Sequence, residues 1–154
     1  MRYVVVIFWL SLLVSCGPTP TFSERIELNP DGWPVAEPIR FTAAIPDSTT
    51  VYNLNLIVDH STEYRYENIY LKIKTIFPDR PEKEEQLNIN LATNIGKWVG
   101  KCTGDNCKTK VYLLENFKFP SPGDYTFQLQ QYTRNEKLKG INSLQMELYA
   151  VLDL

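Results

Sequence analysis

The sequence predicts an all-β fold: a single antiparallel β-sandwich domain of about seven to eight strands, following a lipoprotein signal peptide that is cleaved off. Three observations carry that expectation. Five stretches alternate apolar and polar residues with period two, the pattern of a strand with one buried face. Clusters of proline, glycine, aspartate and serine punctuate them at short intervals. Elsewhere the helical period is missing; a single turn near Asn135–Leu138 is the best helix candidate.

Residues 1–16 read MRYVVVIFWLSLLVSC, with a basic end at Arg2, an apolar run from Val4 to Val14, and Leu13-Val14-Ser15-Cys16 at the close. This is a secretory signal ending in a lipobox. A branched apolar residue stands three before a cysteine, a small residue stands directly before it, and the thiol takes a diacylglyceryl group. As a helix the eleven-residue run spans about 16 Å. A bilayer core needs roughly 30 Å, so a membrane-spanning helix is the poorer reading. The expected organisation is signal peptide 1–15, lipidated Cys16 with a Pro-rich tether over 16–22, and the sandwich over 23–154. The membrane is then a partner through the lipid on Cys16. Gly17-Pro18-Thr19-Pro20-Thr21 extends about 15 Å at about 3.1 Å per residue, which holds the domain near the lipid surface.

Removing residues 1–15 takes away one of the 16 basic residues and none of the 18 acidic ones, leaving a net charge of −3. A mildly acidic chain whose bases form no patch in sequence does not point to nucleic acid as a partner. The remaining 139 residues suffice for one domain that buries roughly 68% of its unfolded surface.

Along that domain Ile39, Phe41, Ala43 and Ile45 share one face, as do Tyr52, Leu54, Leu56 and Val58. Ile69, Leu71, Ile73 and Phe77 alternate with Tyr70, Lys72 and Lys74. Tyr125, Phe127 and Leu129 alternate with Thr126, Gln128 and Gln130, and Leu144, Met146, Leu148, Ala150 and Leu152 close the chain. Less regular runs at Gln86–Leu91 and Lys110–Phe119 add two strands. Turns are expected at Pro46-Asp47-Ser48, Pro78-Asp79-Arg80-Pro81 and Ser121-Pro122-Gly123-Asp124. The run Glu82-Lys83-Glu84-Glu85 reads as a solvated loop.

Cys102 and Cys107 flank Thr103-Gly104-Asp105-Asn106. Two thiols bracketing a turn, in a chain bound for an oxidising compartment, suggest a hairpin disulfide. A redox pair or half a metal site are the alternatives, but the spacing is CxxxxC and no further cysteine remains to complete a zinc site.

Catalytic chemistry finds little support. The single histidine lies in Asp59-His60-Ser61, the residue types of a hydrolase triad. Strand neighbours point to opposite faces, so these three cannot line up as nucleophile, base and orienter. A polar histidine at a strand end is the better reading. Asp59, Glu63 and Glu67 read as solvated loop acids rather than a glycosidase pair. Gly96 and Gly100 do not have phosphate-loop spacing. No catalytic residue, metal ligand or cofactor is therefore expected. What remains is a group of aromatics and amides: Tyr64, Tyr66, Asn68 and Trp98 form the candidate binding surface. Aromatics beside amides suit sugar or protein recognition. The plain alternative is that these rings pack over the end of the sandwich.

The same segments carry a family resemblance. After the lipobox cysteine come Gly32-Trp33, then Phe41 and Ile45-Pro46-Asp47-Ser48, then His60-Ser61-Thr62-Glu63-Tyr64-Arg65-Tyr66-Glu67-Asn68-Ile69-Tyr70-Leu71. Gly96-Lys97-Trp98-Val99-Gly100, Phe119-Pro120-Ser121-Pro122-Gly123-Asp124-Tyr125 and the Gln131, Arg134, Gly140-Ile141 series follow in order. In this the chain resembles the GldH family, the gliding motility lipoproteins of Bacteroidota. The family pattern differs at Asp59, where it carries arginine, and at Thr133, where it carries methionine. The resemblance implies a membrane-anchored lipoprotein that is not an enzyme and supports gliding motility and type IX secretion by binding protein partners of that machinery. No acidic cluster follows Cys16, which in that bacterial group leans toward an outer-membrane position facing the periplasm. A periplasmic glycan- or peptidoglycan-binding module, stacking sugars on Tyr64, Tyr66 and Trp98, is the alternative.

Overall fold

The computed structural model describes residues 18–79 and 81–151; the signal segment, Cys16, Gly17, Arg80 and Leu152 lie outside them. The described residues form eleven strands: β1 (Phe22–Glu27), β2 (Trp33–Pro34), β3 (Ile39–Ile45), β4 (Val51–Ser61), β5 (Asn68–Ile76), β6 (Glu82–Asn90), β7 (Lys101–Thr103), β8 (Asn106–Lys118), β9 (Gly123–Gln131), β10 (Lys137–Leu138) and β11 (Ile141–Val151). A five-stranded sheet has the order β1-β11-β4-β8-β7, a four-stranded sheet the order β3-β9-β5-β6, and β10 with β2 makes a small ribbon. Neighbouring strands pair antiparallel. This is the predicted all-β sandwich.

The alternating residues fill the space between the sheets. Tyr52, Leu54, Leu56 and Val58 of β4 and Leu144, Met146 and Leu148 of β11 meet Phe41 and Ala43 of β3, Ile69 and Leu71 of β5, and Phe127 and Leu129 of β9 in one buried cluster. Each leucine, isoleucine, valine, methionine and phenylalanine among them contributes about 1.5–3 kcal/mol on leaving water.

Three local expectations are corrected. Glu82–Glu85 is not a loop but the first half of edge strand β6. Its acids face the lysines of β5, with Lys74–Glu82 at 3.1 Å and Lys72–Glu84 at 3.4 Å, and charges along an open edge discourage pairing with another chain. The helical turn near Asn135–Leu138 is instead β10, because Leu138 pairs with Trp33 and both side chains enter the core. Asp59 is not a loop acid. It lies in β4 and is 6% exposed. On the outward face of that sheet the guanidinium of Arg25 reaches it at 3.3 Å and the Asn142 amide donates to it at 3.3 Å.

The register gives the sandwich two unlike ends. Phe22 pairs with Leu148 and Glu27 with Ser143, so the chain enters beside the last residues of β11. At this entry end the connections are the short segments 46–50, 77–81 and 119–122. The Asp47 carboxylate accepts from the backbone N–H groups of Thr49 and Thr50, each at 2.8 Å, and from both threonine hydroxyls. These bonds, the Thr49 hydroxyl foremost, pull its pKa down to about 2. The Tyr125 hydroxyl donates to the Ser121 carbonyl at 2.9 Å, pinning the crossover between sheets. At the far end lie the long connections 28–38, 62–67, 91–100 and 132–140.

Candidate functional site

The far end is built around two buried, hydrogen-bonded anchors, Gln131 and Trp33. Gln131, the last residue of β9, has no solvent exposure. Its amide donates to the Asn135 carbonyl at 2.8 Å, and its oxygen accepts from the Thr133 N–H at 2.9 Å and the Thr133 hydroxyl at 2.7 Å. An amide bonded through both its nitrogen and its oxygen holds the 132–135 turn in place and so presents Tyr132 and Arg134 outward. Trp33 plugs the same end from below, its indole N–H donating to the Glu37 carbonyl at 2.7 Å.

On this frame sits a groove of about 690 Å³. Its walls are Tyr64, Tyr66, Tyr70 and Tyr132, with Asn68, Gln86, Arg134 and Asn135 among the polar lining. Tyr66, Tyr70 and Tyr132 are 45%, 46% and 50% exposed, whereas Tyr64 is buried. Burial, and then the neighbouring Tyr66, push the Tyr64 phenol well above its ordinary range. Its hydroxyl donates to the Asn68 carbonyl at 3.1 Å, and Tyr66 packs edge-on against it at 5.5 Å. A second groove of about 430 Å³ adjoins the first through Tyr66 and Asn135, and carries Glu63, Arg65, Lys137 and Lys139. Gly140 forms part of its floor at φ +86°; a Cβ there would come within 3.1 Å of the Tyr64 ring, so a side chain would be strained and crowd the wall.

Of the four residues singled out in sequence, folding therefore brings Tyr64, Tyr66 and Asn68 together along one groove. Trp98 stands apart. It is half-buried, bridges to Ala92, and packs its ring on His60 at 4.6 Å. Gly100 lets this loop lie flat on β8, since a Cβ would meet the Lys108 carbonyl oxygen at 2.5 Å. Tyr70, Tyr132 and Arg134 line the groove, and Gln131 is buried beneath it, without having been named as candidate binding residues. In sequence Arg134, Lys137 and Lys139 lie within six residues but are interrupted by Glu136, and Arg65 is distant; the fold brings Arg65 to them.

His60 is fully buried between Tyr64, at 6.0 Å, and Trp98. Its Nδ1–H donates to the Ser61 carbonyl at 3.0 Å, and Nε2 has no partner among the described residues. Burial pushes its pKa down, so the ring is neutral. Asp59 points to the opposite face of β4, and the Ser61 hydroxyl accepts from the Glu63 N–H at 3.1 Å. The three neighbours form no relay. Among the described residues no three histidine, cysteine or acidic side chains gather as a metal cage. Cys102 and Cys107 are joined as a disulfide across the β7–β8 hairpin. The Asp105 carbonyl at the hairpin tip accepts from the Thr62 N–H at 2.8 Å, clasping the hairpin to the 62–67 connection.

The class defined by this geometry is a two-sheet β-sandwich domain bearing an aromatic and basic surface at one end. The chain belongs to the GldH lipoprotein family, whose model matches residues 21–148 and so takes in both sheets. Membership makes it a membrane-anchored lipoprotein. It is similar to the gliding motility lipoprotein GldH homolog of Christiangramia forsetii, 29% identical over 142 residues that cover 92% of this chain and 86% of the relative. It is also similar to gliding motility lipoprotein GldH of Flavobacterium johnsoniae, 27% identical over 135 residues covering 87% of this chain and 83% of that protein.

Proposed function

We propose that this lipoprotein is a non-enzymatic component of the gliding motility and type IX secretion machinery, held by lipid on Cys16 at the outer membrane and facing the periplasm, where it binds protein partners. The names of its two relatives support the motility role. The observation that carries the contact role is the placement of half-exposed Tyr66, Tyr70 and Tyr132 beside unpaired bases at one end of a rigid frame. Tyrosine and arginine are enriched where proteins meet. The chain enters the sandwich at the other end, which supports a contact surface turned away from the membrane.

The test is deletion of the gene, then complementation with the native chain and with Cys16→Ala. Loss of surface spreading and of secretion, restored by the native chain alone, is the expected result. A deletion strain that spreads and secretes normally overturns the reading.

A further inference from the structure

We propose that the two adjoining grooves act as one acceptor for an extended acidic segment of a partner protein; the inference rests on the protein-contact reading above and names the chemistry of the partner. Arg65, Arg134, Lys137 and Lys139 line the grooves, all exposed, and none makes an ion pair or a side-chain hydrogen bond among the described residues. Lys72, Lys74, Lys83 and Lys110 pair with glutamates, and the other bases without an ion pair among the described residues, such as Lys97, Lys101, Lys108 and Lys118, line neither groove. Glu63 is the one acid in the two linings, so the acceptor carries a local charge of +3 on a chain whose overall charge is −2. Unpaired cations of one sign, aligned over two connected grooves, are complementary to a run of carboxylates.

The rings favour a peptide over a sugar. A sugar platform needs an open aromatic face, but the Lys72 ammonium already stands 4.7 Å over Tyr132. Tyr66 is fixed edge-on to Tyr64 and its hydroxyl accepts from Asn135 at 3.1 Å. Tyr66 and Tyr132 thus serve as walls. The acceptor also lies a strand length, roughly 20 Å, from the entry of the tether at Phe22. Its anion is therefore not the headgroup layer that holds the lipid.

The experiment uses the full mature, lipidated chain in detergent micelles and fluorescein-labelled hexaglutamate, read by anisotropy at low salt. Hexaglutamate is expected to bind, to lose affinity as salt rises, and to bind better than hexaglutamine. The pair Arg65→Gln with Arg134→Gln should weaken it about five- to tenfold, as expected for two exposed ion pairs. Lys118→Gln, at the other end of β8, should leave it unchanged. Equal binding of hexaglutamine, or indifference to the double variant, overturns the inference. So does an oligogalacturonate of equal charge that binds as tightly, which makes the grooves a glycan site. In cells, a benzophenone side chain in place of Tyr70 separates the two levels. A crosslink mapped to an Asp/Glu-rich protein segment supports the inference, and one mapped to a segment without acids sinks it while sparing the contact reading. No protein crosslink there sinks both.

Discussion

The two ends of the sandwich use the same residue types for opposite purposes. At the entry end Tyr52, Phe77, Phe117, Phe119 and Tyr125 touch ring to ring at 4.7–5.7 Å, and Phe119 and Tyr125 are buried. At the far end Tyr66, Tyr70 and Tyr132 keep about half of their surface in water. Short turns let rings close over the core, whereas the long connections leave Tyr66, Tyr70 and Tyr132 half in water even where Tyr66 touches the buried Tyr64. The entry end thus spends its aromatics on stability, and the far end leaves them available for contact.

The sharpest break of this comparison is Phe119→Ala against Tyr70→Ala. Phe119→Ala should cost about 3–5 kcal/mol in a urea titration, because it empties a buried ring site. Trp33→Ala should cost about as much, although it sits at the far end, since that ring supports the groove from inside. If Trp33→Ala proves mild, the far end is not the rigid frame described. Next comes the clasp. Replacing Cys102 and Cys107 by serine and alanine releases a short loop closure and should cost about 2 kcal/mol in the same titration.

A pH effect should be smaller again. The unfolded chain protonates His60 below about 6.5, while burial keeps the folded ring neutral at lower pH. The unfolded state then binds more protons, so stability falls as pH drops below about 6.5 toward the folded value and is fully present above it. Urea midpoints of the native chain and of His60→Gln between pH 7 and 5 check this: the variant should lose less on acidification. Tyr70→Ala should have the smallest effect on stability, within about 0.5 kcal/mol. A large loss there would mean that the groove wall is core rather than surface.

Much of the frame was legible in sequence because its strands bury one face. The alternating residues of β3, β4, β5, β9 and β11 are the ones that meet in the core. What escaped has physical reasons. β1 is an edge strand in which only Phe22 and Ile26 are even partly buried, so its period is faint. β2 and β10 have two residues each, too few for any period. The charges of β6 are paired across strands, a long-range fact that a local reading assigns to solvent. The groove was half visible for the same reason. Tyr64, Tyr66 and Asn68 are sequence neighbours. Tyr132 and Arg134 arrive from the β9–β11 connection, more than sixty residues on, and are set there by the buried Gln131 amide. Trp98 looked exposed between two glycines, yet one of those glycines is what lets the loop press its ring onto His60.

The pairing of β1 with β11 has a mechanical corollary. A pull applied at Phe22 against the far end of the sandwich would run parallel to the strands and across every rung of that ladder at once. Six residue pairs would then resist by shear and none could be peeled off singly, a tougher arrangement than one unzipped from its end.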